Sequence, residues 1–256
     1  MSHDPQAPVY SPLRKAMAWS VHLFTAMGAV CGLMSIRAVF YEDWQEAFFW
    51  MGIAVFVDGM DGTLARLARV KEILPDFDGT LLDNVIDYQN YVIVPALLVY
   101  WMELVPASVP LVPIDVSMVV AALMALSSAF QFCQGDAKTH DHYFKGFPSY
   151  WNIVVFYLAI MQLDPWLNLA IILTLCVLVF VPLRYIYPTR TRFLQRVTLI
   201  ATSLWGAVML TILYQYPDQP SWLVWTSLLF VAYYITASIP INLRRWMQRR
   251  ETKATE

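Results

Sequence analysis

The sequence predicts an all-α membrane protein, a polytopic helix bundle with about eight transmembrane helices, and three observations carry that reading. Of 256 residues, 59% are hydrophobic, 15% aromatic and only 14% charged, with a mean hydropathy of +0.51. The apolar residues gather in stretches of roughly 20, the length a helix needs to cross about 30 Å of hydrocarbon. All but one of the 17 Lys and Arg then fall on a single side of the bundle that these stretches define.

The expected spans are residues 16–39, 44–60, 81–104, 111–133, 150–163, 166–187, 197–214 and 221–242, the fifth being the shortest. With the N-terminus inside, the cytoplasmic segments carry Arg14 and Lys15, then Arg66, Arg69 and Lys71, then Lys138 and Lys145, then Arg184, Arg190, Arg192 and Arg196, and finally the basic tail from Arg244. Arg37 alone lies opposite, among Glu42, Asp43, Glu46, Glu103, Asp164 and Asp218. This is the positive-inside pattern, and it predicts short tails with both termini in the cytoplasm.

The polar N-terminus leads into a span too long for a signal-peptide core, so an uncleaved first helix is expected. Cys31, Cys133 and Cys176 lie within or at the ends of spans without paired spacing, which points to packing and not to a disulfide framework or metal site. No internal repeat or low-complexity stretch divides residues 1–256, so a single membrane domain is expected, ending in a charged, interface-bound or mobile tail. Pro95 and Pro182 are expected to kink their helices.

Two acidic pairs break the apolar pattern. Asp58 and Asp61 are three residues apart at the end of the second span, and Asp83 and Asp87 are four apart at the start of the third, so each pair shares a helical face. Ionised acids near hydrocarbon are costly unless they bind a cation or one another. Carboxylates with no His or Cys beside them suit hard divalent cations, which leave coordination positions for phosphate oxygens, and a pair of such ions can clamp a displacement at phosphorus. Gly59, Gly62 and Gly79 would let a nucleotide approach the backbone closely. The structural alternative is capping: Asp83 alone would favour a helix N-terminus.

These residues resemble the signature of the CDP-alcohol phosphotransferase family, D-x2-D-G-x2-A-R-x8-G-x3-D-x3-D, with Asp58, Asp61, Gly62, Ala65, Arg66, Gly79, Asp83 and Asp87 at its fixed positions. The departure is a spacer of 12 residues, not 8, between Arg66 and Gly79. The resemblance implies attack of an alcohol hydroxyl on the lipid-bearing phosphorus of a CDP-linked lipid, or the mirror-image variant, with release of CMP. It further implies two divalent cations, Mn²⁺ or Mg²⁺, held by Asp58, Asp61, Asp83 and Asp87. Asp83 and Asp87 would be catalytic, Asp87 taking the hydroxyl proton. The CDP moiety would be contacted at Gly62, Ala65, Arg66 and Gly79, and the enzyme would be a homodimer of the bacterial inner membrane with its active site cytoplasmic.

Residues 21–33, residues 82–95 and the loop FKGFPSYWN at 144–152 are similar to the choline-using branch of that family, which joins CDP-diacylglycerol to free choline. The same loop resembles that of the serine-using branch, which makes serine the alternative alcohol. A quaternary ammonium donates no hydrogen bond and is best held by aromatic faces. Tyr88, Tyr91, Tyr143, Tyr150 and Trp151 are the candidates for a choline pocket, although interfacial belts are rich in the same residues. His22 is open between packing and substrate contact. His140 and His142 read as a solvated loop, since no third ligand converges on them. A divalent-cation transporter is the competing class. It is disfavoured because the acids lie at helix ends and no repeat is present.

Overall fold

The computed structural model describes residues 10–108, 114–135, 143–186 and 195–255. His140, His142, Lys138, Arg190 and Arg192 lie outside the described residues. Helix α1, Pro12–Phe40, is capped by Ser11 and has proline at its first position, where the missing N–H costs nothing. A tight turn through Glu42, at φ 56°, leads to Asp43, whose carboxylate accepts from the Glu46 N–H at 2.9 Å and starts α2, Trp44–Leu67. The two helices form an antiparallel pair with small residues along it, Ser35 and Ala38 on α1 and Ala47 on α2, while Gly28 and Gly32 of α1 face Ile86 and Asn90 instead. Such residues bring backbones close where lipid supplies no hydrophobic drive for association. Ser35 closes the seam by donating to the Ala47 carbonyl at 2.9 Å.

Arg69, at φ 52°, ends the run and is followed by the short helix α3, Val70–Ile73. Its apolar residues pack on Ala18 and Val21 of α1, so the long spacer folds back against the first helix. Asp78 then accepts from the N–H groups of Thr80 and Leu81, both at 3.0 Å, and caps α4, Gly79–Tyr88. The capping role open to Asp83 therefore belongs to Asp78. A π-helical turn, Gln89–Ile93, joins α4 to α5, Val94–Trp101. The Val94 N–H reaches back five residues to the Gln89 carbonyl, and Pro95 has no N–H to offer Tyr91 one turn earlier. Pro95 thus follows directly on a widened turn of this span.

Helix α6, Val116–Cys133, is followed by β1, Tyr143–Lys145, then α7, Trp151–Met161, and α8, Pro165–Phe180. The sixth span was expected to reach residue 187. Instead α8 stops before Pro182, with Val181 extended, as the residue before proline tends to be, and β2, Arg184–Ile186, pairs antiparallel with β1. Pro182 ends its helix and does not kink it. Helices α9, Gln195–Gln215, and α10, Ser221–Thr255, complete the chain, the backbone of α10 continuing helically through the basic tail.

Among the described residues, five helices are long and apolar enough to cross a membrane: α1, α2, α6, most of α9 and the first 20 residues of α10. The α4–π–α5 run continues helically and is apolar from Tyr91 to Trp101, whereas α7 and α8, at 11 and 16 residues, are about 16 and 24 Å long. Leu23, Phe56, Leu126, Val177 and Leu204 are each more than three-fifths exposed, an outer surface suited to lipid and not to water. The chain is therefore a multi-pass membrane protein. Its packed centre joins Val92, Leu98 and Val99 to Val120 and Met124 of α6, Trp151 of α7 and Ile172 of α8. Cys31, Cys133 and Cys176 are free thiols.

Candidate active site

The acidic pairs face one another across a cleft between α2 and α4, with Thr25 and Gly28 of α1 in its lining. Because α2 runs on to Leu67, Asp58 and Asp61 lie within the helix and not at its end. The second pair is placed by packing of α4 on α1. A Cβ at Gly28 would come within 2.6 Å of Ile86, so glycine is what lets α4 approach. Asn90 fixes that approach by donating from Nδ2 to the carbonyls of Gly28 at 2.9 Å and Ile86 at 3.0 Å.

Ligand oxygens of Asp58, Asp83 and Asp87 lie within 4.8 Å of one another, and these three residues are half-buried. Asp61 lines the same cleft and is buried, at 8% exposure. Oxygens bound to one Mg²⁺ or Mn²⁺ at roughly 2.1 Å can be about 4.2 Å apart, so small side-chain movements would bring these groups into a common coordination shell. At an effective dielectric near 20, like charges 4.8 Å apart repel by roughly 3 kcal/mol per pair, which a divalent ion would reverse. The donor set is hard oxygen throughout and fits a divalent cation of the Mg²⁺ or Mn²⁺ type.

The remaining signature residues, Gly62, Ala65 and Arg66 on α2 and Gly79 at the start of α4, are not among the cleft-lining residues. Arg66 is exposed, donates from Nη2 to the Thr63 hydroxyl at 2.9 Å, and has no carboxylate partner among the described residues. Its guanidinium is accordingly available to a phosphate. Gly62 lies against Arg66, a Cβ there falling 3.4 Å from Nη1, and Ala65 is half-buried one turn on. Gly79 opens α4 directly over His22, which is buried, lies 4.3 Å from the Phe77 ring centre and has no hydrogen-bond partner for Nε2 among the described residues.

The aromatic candidates divide. Tyr91 lines the cleft and donates its hydroxyl to Asp58 Oδ2 at 2.6 Å, a contact not legible from its spacing because it lies inside the π-turn. Tyr150, the residue preceding α7, lies within electrostatic range of the Tyr91 phenol. Tyr88 instead donates to the Ala125 carbonyl at 2.9 Å and meets Phe132 edge to face. The Tyr143 ring faces the Arg184 guanidinium at 5.7 Å. Trp151 is fully buried, its indole N–H donating to Ser128 at 2.7 Å and its ring packed on Phe147. Of the five, Tyr91 alone is among the cleft-lining residues.

Two acid pairs lining one cleft and a lipid-facing exterior define the class: a membrane protein with a candidate divalent-cation site. A family model described as CDP-alcohol phosphatidyltransferase matches residues 21–183, and the chain belongs to that family. Among its relatives is a phosphatidylcholine synthase of Legionella pneumophila, 40% identical over 241 residues that cover 92% of each chain. A phosphatidylcholine synthase of Pseudomonas aeruginosa is 36% identical over 236 residues, covering 92% of this chain and 96% of the relative. One from Borreliella burgdorferi is 40% identical over 187 residues, covering 73% and 76%. The match to the first two runs well past residue 183, so their similarity includes helices beyond the family model.

Proposed function

We propose that this chain is a phosphatidylcholine synthase, transferring the phosphatidyl group of CDP-diacylglycerol to choline with release of CMP. The convergence of Asp58, Asp83 and Asp87 within 4.8 Å, in a cleft that also contains Asp61, carries the reading, and the relatives named above support choline as the alcohol. Divalent cations held by the four aspartates would supply neutralisation of the pyrophosphate and of the departing CMP. Arg66 binds a phosphate of the CDP group, with Gly62 and Gly79 giving it access. Asp87 accepts the proton of the choline hydroxyl as its oxygen bonds to the lipid-bearing phosphorus and the bond to CMP breaks.

Choline's ammonium is recognised by the Tyr150 and Tyr91 rings together with the negative cleft, an arrangement that holds a quaternary cation without hydrogen bonds. Tyr88, Tyr143 and Trp151 support the site by packing. The active site faces the cytoplasm of a bacterial inner membrane, as the basic residues argue. Association as a homodimer rests on family resemblance alone. Expression in a bacterium that makes no phosphatidylcholine, fed labelled choline, tests the reading. Labelled phosphatidylcholine is expected, and its absence beside abundant membrane-inserted protein would reject the assignment.

A further inference from the structure

We propose that Tyr91 is a positioning residue: its hydroxyl holds Asp58 in place across the cleft and thereby sets the affinity of the acid cluster for its cation. This inference rests on the metal-site reading given above. Asp58 belongs to α2 and Tyr91 to the π-turn that continues α4, so their 2.6 Å hydrogen bond ties α2, which carries one acid pair, to the turn directly after the helix that carries the other. A phenol donating to a carboxylate forms a short, charge-assisted bond and occupies only one of the carboxylate's roughly four acceptor positions.

The local backbone gives this bond its rigidity. Tyr91 is buried at 7% exposure, and its neighbour Asn90 is anchored to both α1 and α4. Pro95 denies the Tyr91 carbonyl its usual helical donor, and single π-turns of this kind occur often at functional sites. The phenol's place is therefore set by the widened turn and not by a flexible side chain. Partners that orient metal ligands typically account for about 10- to 100-fold in metal affinity when removed.

The test is titration of the purified full-length protein with Mn²⁺ alone, free Mn²⁺ being read by electron paramagnetic resonance. Tyr91→Phe keeps the ring, and with it any aromatic wall for choline, and removes only the hydroxyl. Its Kd for Mn²⁺ is expected to rise about 10-fold or more. In turnover, the Mn²⁺ concentration giving half-maximal rate should rise in parallel. In an Asp58→Asn background the same change should have no further effect on Mn²⁺ binding, because the hydroxyl acts through Asp58. A thermal unfolding comparison shows whether Tyr91→Phe is folded, and the double variant separates loss of positioning from general loosening. Wild-type Mn²⁺ affinity in folded Tyr91→Phe, or an additional loss in the Asp58→Asn background, would overturn the inference while leaving the metal site standing. Failure of the wild-type protein to bind Mn²⁺ would overturn the metal reading itself.

Discussion

The backbone of Gly79 lies directly against the imidazole of His22: a Cβ at position 79 would sit 2.6 Å from Cε1. His22 cannot easily yield, since it is buried between α1 and the spacer and touches the rings of Phe77 and Trp19. The signature glycine thus has a packing reason in addition to any nucleotide approach. Gly79→Ala should reduce activity by at least about 10-fold, overpacking of this kind typically costing 1–3 kcal/mol. His22→Ala added to it should restore part of the loss by opening the space. A double variant no better than Gly79→Ala would place the glycine's role with the nucleotide alone.

The acid cluster carries the chemistry. Asn in place of Asp58, Asp61, Asp83 or Asp87 keeps shape and removes charge, so turnover of each purified variant should fall by at least about 100-fold. Near-normal rates in Asp83→Asn or Asp87→Asn would reject the mechanism.

For choline recognition, Tyr150→Leu keeps bulk and removes the ring. The KM for choline should rise in line with a loss of roughly 0.5–2 kcal/mol, with little change for CDP-diacylglycerol. Trp151→Leu should behave differently, lowering thermal stability through a cavity and an unpaired Ser128 hydroxyl without a selective effect on choline. Equal, choline-selective effects of both changes would return Trp151 to the pocket.

Orientation follows from the basic residues. Single cysteines on a Cys-free background should react with an impermeant thiol reagent from outside at Asp218, in the turn between α9 and α10, and only after the membrane is opened at Lys145, in β1. Labelling of both from one side would require the cleft to be moved across the bilayer.

What could be read from the sequence depended on how local its cause is. The helices were legible because apolar runs and terminal caps are written in contiguous residues, and the two acid pairs because i,i+3 and i,i+4 spacing fixes a shared face. Pro182 was legible as a breaker but not as a terminator, because only the pairing of Lys145 with Arg184 shows what the chain does next. Asp83 alone invites a capping role in the sequence, whereas the cap is Asp78, because α4 begins earlier, at a boundary where the spacer packs on α1. The bond between Tyr91 and Asp58 joins residues 33 apart through a π-turn, whose extra width shifts side-chain phase away from the 3.6-residue pattern. Trp151, a good aromatic candidate by composition, is buried by tertiary packing that no periodicity in its own segment announces.

The most direct measurement is CMP released and lipid formed by the purified protein in vesicles containing CDP-diacylglycerol, with choline or serine as the only alcohol and with or without a chelator. Equimolar CMP and phosphatidylcholine with choline, little product with serine, and loss of both after chelation that Mn²⁺ or Mg²⁺ restores are the predicted results. Turnover that persists in excess chelator, or efficient use of serine with little use of choline, would contradict the account.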